Sequence, residues 1–278
     1  MSERTLLWRD RVLTTAVIMA LMLVLGVLAW LIADLLRVAW PRLGWELLTE
    51  APRRAGRAGG LTSILVSTGL ILAVCWAVVL PLGIGAALCL SASRAAWTRW
   101  VRTSLDTLAG LPTIVLGMFG LLVFGDLLGL GFSIFSGGLT LACMVLPLVI
   151  RVADAALRAV PTTILATAAA LGLSRTATLF HLILPAAAPG LLAAFALGTG
   201  RALAETAALV FTSGASDRMP HALTDPGRTL AVHIFDLAMN VAGGDASAAA
   251  SALVLLGLLI LIQAGGTLLL GRVLDHHR

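Results

Sequence analysis

Long apolar runs separated by short polar stretches make up most of the chain. Runs long enough to cross a bilayer core, about 20 residues each, fall at roughly 12–33, 61–90, 107–129, 133–150, 186–211 and 249–270. This pattern predicts six membrane-spanning helices. The fourth run is short, and the third is interrupted by Pro112 and by several glycines, Gly110 among them. The apolar part of the first run, Val12 to Ala33, is longer than the roughly 7 to 15 residues of a signal-peptide core, and no small-x-small cleavage site follows it. A retained span is the expectation there. Between the fourth and fifth runs lies a mixed stretch, 151–185, where Thr162 to Leu171 favours helix. Gly172 supplies the turn that ends it, and Leu173 to Leu184 forms a second helix before Pro185 opens the fifth span. The segment TLAVHIFDLAM, 229–239, is too short to span and predicts an external amphipathic helix placed to contact a substrate-delivering protein.

Composition agrees with this pattern. Hydrophobic residues make up 59% and charged residues 12%, against a charged share of about 25% in soluble domains. The chain reads as an all-α integral membrane protein. It contains no lysine, so arginine alone reports orientation. A cytoplasmic N-terminus, with an even number of spans and hence both termini inside, places Arg4, Arg9, Arg11, Arg94, Arg99, Arg102, Arg151, Arg158, Arg175, Arg272 and Arg278 on the cytoplasmic side. Arg37, Arg42, Arg53, Arg54, Arg57, Arg218 and Arg228 then fall outside. The external cluster Arg53, Arg54 and Arg57 is either a solvated loop or a set of charges that draws anions to an outer vestibule.

The missing lysine also excludes a function class. A phosphate-cradling P-loop needs GxxxxGK[ST], whose lysine reaches the terminal phosphates, so nucleotide hydrolysis would have to reside in another polypeptide. No GxSxG, HExxH or CxxC pattern is present. His181, His221 and His233 are scattered, and His276 and His277 sit beside the terminal Arg278 in what reads as a solvated tail. Cys75, Cys89 and Cys143 fall inside spans at no metal-ligand spacing and read as packing residues. No catalytic or metal-ligating set emerges, which disfavours an intramembrane hydrolase.

The stretch RALAETA, 201–207, places Arg201 and Glu205 inside an apolar run. Each charge costs roughly 2.5 to 3.5 kcal/mol at the centre of a membrane helix, and so needs compensation. Arg201 lies about fifteen residues into the fifth run, roughly 22 Å from its inner end at the helical rise. Guanidinium offers a planar set of donors suited to the oxygens of an oxyanion. Glu205, one turn on, either positions that arginine and tempers its affinity, or joins it in a buried ion pair that only fixes packing. Arginine preceding glutamate is the weaker i, i+4 order. Gly110 and Pro112 mark a helix break, which either opens polar backbone at membrane depth or is a plain kink.

The run ATAAALGLSRTATLFHLILP, 166–185, resembles the cytoplasmic loop of binding-protein-dependent ABC importers, written EAA, three residues, Gly, nine residues, I-x-L-P. Gly172 stands at the loop glycine, Leu182 at the isoleucine, and Leu184 and Pro185 at the closing pair. Ala166 replaces the glutamate and Thr167 the first alanine, leaving Ala168 as written. The resemblance implies a coupling helix that docks in a groove of an ATPase, with the lost carboxylate removing one contact that Arg175 or other polar residues would replace. GLPTIVLGMFG at 110–120 is similar to the G-x-P-S/T-I-V-x-G-x-F run of phosphate permeases. GRALAETA at 200–207 resembles their A-R-A-x-G-E-T-A, with Gly200 and Ala204 departing from it. LPLVIR at 146–151 and the loop segment 211–235 resemble the PstA family of these permeases.

What the resemblance implies is specific. The fold would be that of a type I (MetI-like) ABC importer permease, with residues 1–60 as an N-terminal span and external loop and 61–278 as the permease core. The function would be a phosphate-importer permease, with a permease for another oxyanion such as phosphonate, or a membrane phosphate-sensing scaffold, as alternatives. The expected partners are a PstC-like permease, a PstB-like ATPase dimer, a PstS-like phosphate-binding protein, inorganic phosphate and membrane lipids, with no nucleic acid. The chain itself would bind no cofactor, ATP and magnesium belonging to the ATPase subunits. Arg151 matches an arginine that phosphate permeases carry there, and reads either as a second anion contact nearer the cytoplasmic exit or as an interfacial anchor. The location would be the bacterial inner membrane.

Overall fold

A computed structural model of the protein describes residues 3–93 and 95–275. Expectations placed on Arg94 and on the tail residues His276, His277 and Arg278 lie outside the described residues. The chain opens with α1 (Glu3–Ala39), a 3-10 turn (Trp40–Arg42) and the short α2 (Glu46–Thr49). A small antiparallel hairpin follows, β1 (Pro52–Arg53) and β2 (Ala58–Gly59), with Pro52 opposite Gly59 and Arg53 opposite Ala58. Then come α3 (Thr62–Ala92), α4 (Trp97–Ala109), α5 (Thr113–Gly120) running into a π-helical segment (Leu121–Leu127), and α6 (Ile134–Arg158). The second half holds α7 (Thr162–Ala170), α8 (Arg175–Thr178), a π-helical segment (Leu179–Ile183), α9 (Leu184–Leu203), α10 (Ala207–Thr212), α11 (Leu230–Met239) and α12 (Asp245–Asp275).

Five helical segments are long and apolar enough to cross a membrane, and α4 with α5 makes a sixth if that bent pair counts as one span. The boundaries differ from the apolar runs in four places. First, the third run does not start a helix at 107: α4 begins at Trp97, and the chain turns by 96° before Thr113. Pro112 has no N–H to continue the helix and pushes the residue before it out of the helical region. Second, Pro185 does not open a new helix. Arg175 to Leu203 is one rod, and the chain tolerates the proline by widening to π geometry just before it, where the Leu184 N–H donates to Leu179 O. That widening relieves the clash a proline ring makes with the carbonyl four residues back. Third, the fifth run 186–211 is two helices with a break at 204–206. The polar stretch assigned to the loop from residue 151 is shortened too, because α6 continues to Arg158.

The centre of the bundle is α6, packed between α3 and α9. Ile71, Val74, Cys75 and Val79 of α3 meet Leu141, Val145 and Val149 of α6 in one buried cluster. Lipid gives no hydrophobic drive between helices, so close backbone approach has to supply the contact energy. Gly138 provides it: a Cβ there would sit 2.5 Å from Cβ of Val74. Trp76 and Phe195 stack with ring centroids 4.4 Å apart, joining α3 to α9. Cys75 is buried as a packing residue, whereas Cys89 and Cys143 are exposed on helix surfaces. Their apolar type suits lipid there, not a core.

At the end of the bundle opposite α7, the hairpin and α11 form a cap. Helix α11 buries Leu230, Ala231, Val232, His233 and Leu237 and leaves Phe235, Ala238 and Met239 exposed. Thr229 caps its start by accepting from the Val232 N–H at 3.4 Å, and Thr68 of α3 accepts from the Leu230 N–H at 3.0 Å. Arg42 donates to Ser247 Oγ at 3.1 Å, and Arg57 donates to Ala242 O at 3.2 Å. Arg228 is buried and reaches three groups: Asp236 at 2.9 Å, Nδ1 of His233 at 3.2 Å and Ala215 O at 2.9 Å through Nε. Burial, with the Arg228 charge beside it, pushes the His233 imidazole down to about 4.

Candidate functional site

Arg201 closes α9, and Glu205 sits in the break before α10. A broken helix leaves carbonyls without partners at one end and N–H groups without partners at the other, with opposite partial charges. The two charged residues complement those ends. Arg201 lies in the last turn of α9, where a cation is favoured. Glu205, buried to 6% exposure, accepts from the Ala208 N–H at 3.4 Å at the start of α10. Among the described residues Arg201 makes no ion pair and no side-chain hydrogen bond, and it is exposed on the flank of α9 together with Leu197 and Ala204. The structure therefore does not bring Arg201 and Glu205 together as an ion pair.

The two motifs around 110–120 and 200–207 meet in space. Helix α5 packs directly on α10, and Gly117 is the closest point. A Cβ at Gly117 would lie 2.6 Å from Cα of Ala208, so this crossing admits no side chain. The bend at Gly110 and Pro112 sets the direction in which α5 leaves α4, and thus the seating of α5 against the charged break.

Arg151 lies far along the chain from Arg201, in the last third of α6, and pairs with Asp106 of α4 at 2.6 Å, both side chains half exposed. Below it, Asp154 is buried and held from two sides. Arg102 donates to it through Nε at 3.0 Å and also to Leu90 O at 2.9 Å, at the end of α3. Arg158 donates to the same carboxylate through Nε at 3.0 Å. Arg102, Asp106, Arg151, Asp154 and Arg158 line a cavity of about 410 Å³. The sequence reading missed Asp154, Asp106 and Arg102 as members of one site. A signal was present for part of it, since Asp154 preceding Arg158 is the favourable i, i+4 order.

The loop residues fall into two groups. Helix α7 stands off the bundle: of its nine residues only Ala168 is buried, and Ala166 is exposed. Gly172, at φ +64°, makes the left-handed turn that ends it. Ser174 caps α8 by accepting from the Ala177 N–H at 3.2 Å. Arg175 is exposed at the start of α8, and with Arg158, Leu88, Leu157, Leu165 and Ile183 it lines a cavity of about 570 Å³ between α7 and the bundle. Leu182, Leu184 and Pro185 are half-buried within the helical rod.

The exposed α7 precedes one end of the rod Arg175–Leu203, and the break next to Arg201 lies at the other end of that rod. Residues 79–274 match the family described as binding-protein-dependent transport system inner membrane component. The chain belongs to that family. The permease is 33% identical over 211 residues to the probable ABC transporter permease protein YqgI of Bacillus subtilis, covering 70% of this chain and 72% of that protein. It is also 29% identical over 295 residues to the phosphate transport system permease protein PstC of Haemophilus influenzae, covering 94% of this chain and 90% of that one. With the phosphate transport system permease protein PstA 2 of Mycobacterium bovis it shares 29% over 212 residues, 76% of this chain and 70% of that one. Among solved structures, an inward-facing MetNI methionine ABC transporter matches with a TM-score of 0.60 at 18% identity, covering 76% of this chain and 96% of that chain. The fold is that of a MetI-type ABC importer permease, and the permease is a multi-pass membrane subunit.

Proposed function

We propose that this permease carries inorganic phosphate across the bacterial inner membrane, as one of two permeases of an ATP-driven importer. The observation that supports this most is Arg201, exposed in the last turn of an apolar rod, beside a helix break, with no ion-pair partner among the described residues. An unpaired arginine facing lipid would carry a large cost, which a polar path shared with a second permease removes. Guanidinium binds phosphate oxygens with two parallel donors, and a single such contact is weak enough to release the ion. Arg151 offers a second contact nearer the α7 end, where its exposed pairing with Asp106 is readily exchanged for an anion.

In this reading α7 docks on an ATPase dimer that binds ATP and magnesium, with Ala166, Ala168, Gly172 and Arg175 at or next to the contact, and both termini lie in the cytoplasm. A binding protein delivers phosphate to the opposite face. Phosphate-family relatives of both kinds, PstA and PstC, support the substrate class.

The test is radiolabelled phosphate uptake in cells lacking their own high-affinity system, supplied with the full complex carrying native Arg201, Arg201→Lys or Arg201→Ala. Sulfate and phosphonate serve as competitors and membrane abundance is measured in parallel. Phosphate-selective uptake that falls sharply in both variants at normal abundance is the expected result. Absence of phosphate uptake by the assembled native complex overturns the substrate, and unchanged uptake in the variants overturns the role of Arg201.

A further inference from the structure

Helix α4 has three faces, and the bundle accounts for only one. Thr98 and Leu105 are buried, and Val101 and Arg102 half-buried, against Leu90 of α3 and Ile150 of α6. A second flank carries Arg99, Thr103 and Asp106, all exposed. The third carries Trp97, Trp100, Ser104 and Leu108 at the i, i+3, i+7, i+11 spacing of one helix stripe. On it Trp97 is 49%, Trp100 77% and Leu108 46% exposed. This helix is too polar to lie in hydrocarbon, yet its third flank is too apolar for water.

The bend fixes where such a helix goes. The segment Thr113–Leu127 is the apolar arm of the bent pair, and α4 leaves it at 96°. A span close to the membrane normal therefore lays α4 in the membrane plane. Its height is set by Arg102, which ties it to the last turns of α3 and α6 through Leu90 O and Asp154. Those are the helix ends from which α7 projects, so α4 lies at the surface of that leaflet. Tryptophan is enriched at this depth, with its ring among the headgroups, and a helix with one apolar and one polar flank lies flat there.

We propose that α4 is an interfacial anchor for anionic phospholipid, with Trp97, Trp100 and Leu108 turned to the upper acyl chains and Arg99 to the headgroup phosphates. The acidic side chain of α4, Asp106, is paired with Arg151 at 2.6 Å. Anchoring α4 holds the elbow at Gly110 and Pro112 from which α5 reaches the charged break. The proposal takes from the functional reading only that the α7 side is cytoplasmic, and its test does not use transport.

The assembled transporter is reconstituted in phosphatidylcholine vesicles, with and without phosphatidylglycerol, containing lipids brominated either high on the acyl chain or near its end. Fluorescence of the native chain minus that of Trp100→Phe isolates the Trp100 signal, and iodide in the buffer reports water access. The expected result is greater loss of the Trp100 signal with the shallow bromines than with the deep ones, and little loss with iodide. Phosphatidylglycerol increases the shallow quenching in the native chain and has no such effect in Arg99→Gln. Quenching by iodide without bromolipid quenching overturns the proposal in favour of a solvated helix. Quenching by neither shows a protein partner over α4 and overturns it as well. Equal response to phosphatidylglycerol in native and Arg99→Gln chains overturns the role given to Arg99.

Discussion

Arg201 and Glu205 stand on opposite ends of one helix break without forming an ion pair: the arginine closes α9, and the glutamate receives the Ala208 N–H of α10 at 3.4 Å. Their effects on stability should therefore separate. Glu205→Ala removes a buried cap and is expected to cost about 1 kcal/mol, the usual loss for a helix N-terminal partner. Arg201→Ala should leave stability nearly unchanged while changing transport. Thermal denaturation of both single variants and the double variant checks this, and the two effects on stability should add.

Asp154 is the buried centre of the seam between α4 and α6. Removing one member of a buried ion pair costs about 3–5 kcal/mol. Both arginines are partly open to solvent, at 30% for Arg102 and 46% for Arg158, which lowers the expectation for Asp154→Ala to roughly 2 kcal/mol. Asp106→Asn breaks a half-exposed pair and should cost less than about 1 kcal/mol. Chemical unfolding in the same detergent orders the two.

Gly117→Val places a branched side chain where even a Cβ would be 2.6 Å from the Ala208 backbone. Helix α5 must then move off α10, and a loss of about 1–3 kcal/mol is expected from overpacking, with lower membrane abundance. Gly26→Ala in α1 meets nothing within 4 Å and should be neutral. Abundance and melting temperature of the two variants make the comparison.

His233 gives the cap an acid limit. Its imidazole is held at about 4 against an ordinary 6.5, so between these values the unfolded chain binds the proton and the folded chain does not. Stability from this group is whole above about pH 6.5 and is lost as pH falls toward 4, by roughly 3 kcal/mol across the window. His233→Leu should flatten the decline in melting temperature over that range.

Ala166 and Ala168, two residues apart on α7, should respond differently to the same change. Ala166→Glu lies on the exposed side and is expected to leave folding intact. Ala168→Glu buries a carboxylate at the one buried position of the helix and should lower abundance. Quantified membrane levels of the two variants decide it.

What the sequence by itself determined was the environment and the order of elements. Apolar runs of spanning length are dictated by bilayer thickness, and the family motifs lie in contiguous stretches, so spans, loop and membership were all legible in one dimension. Helix breaks were legible less well. Pro112 ends a helix while Pro185 does not, because a π-helical turn before Pro185 absorbs the lost hydrogen bond, and only the surrounding packing selects between the two responses. The candidate site depended on tertiary structure most of all. Arg201 and Glu205 look like an i, i+4 pair on paper, yet a break between them turns each toward a different helix end. Asp154 joins Arg102, 52 residues away, and Gly117 meets Ala208, because contacts between helices are set by which backbones can approach, and that distance is not written in the spacing along the chain.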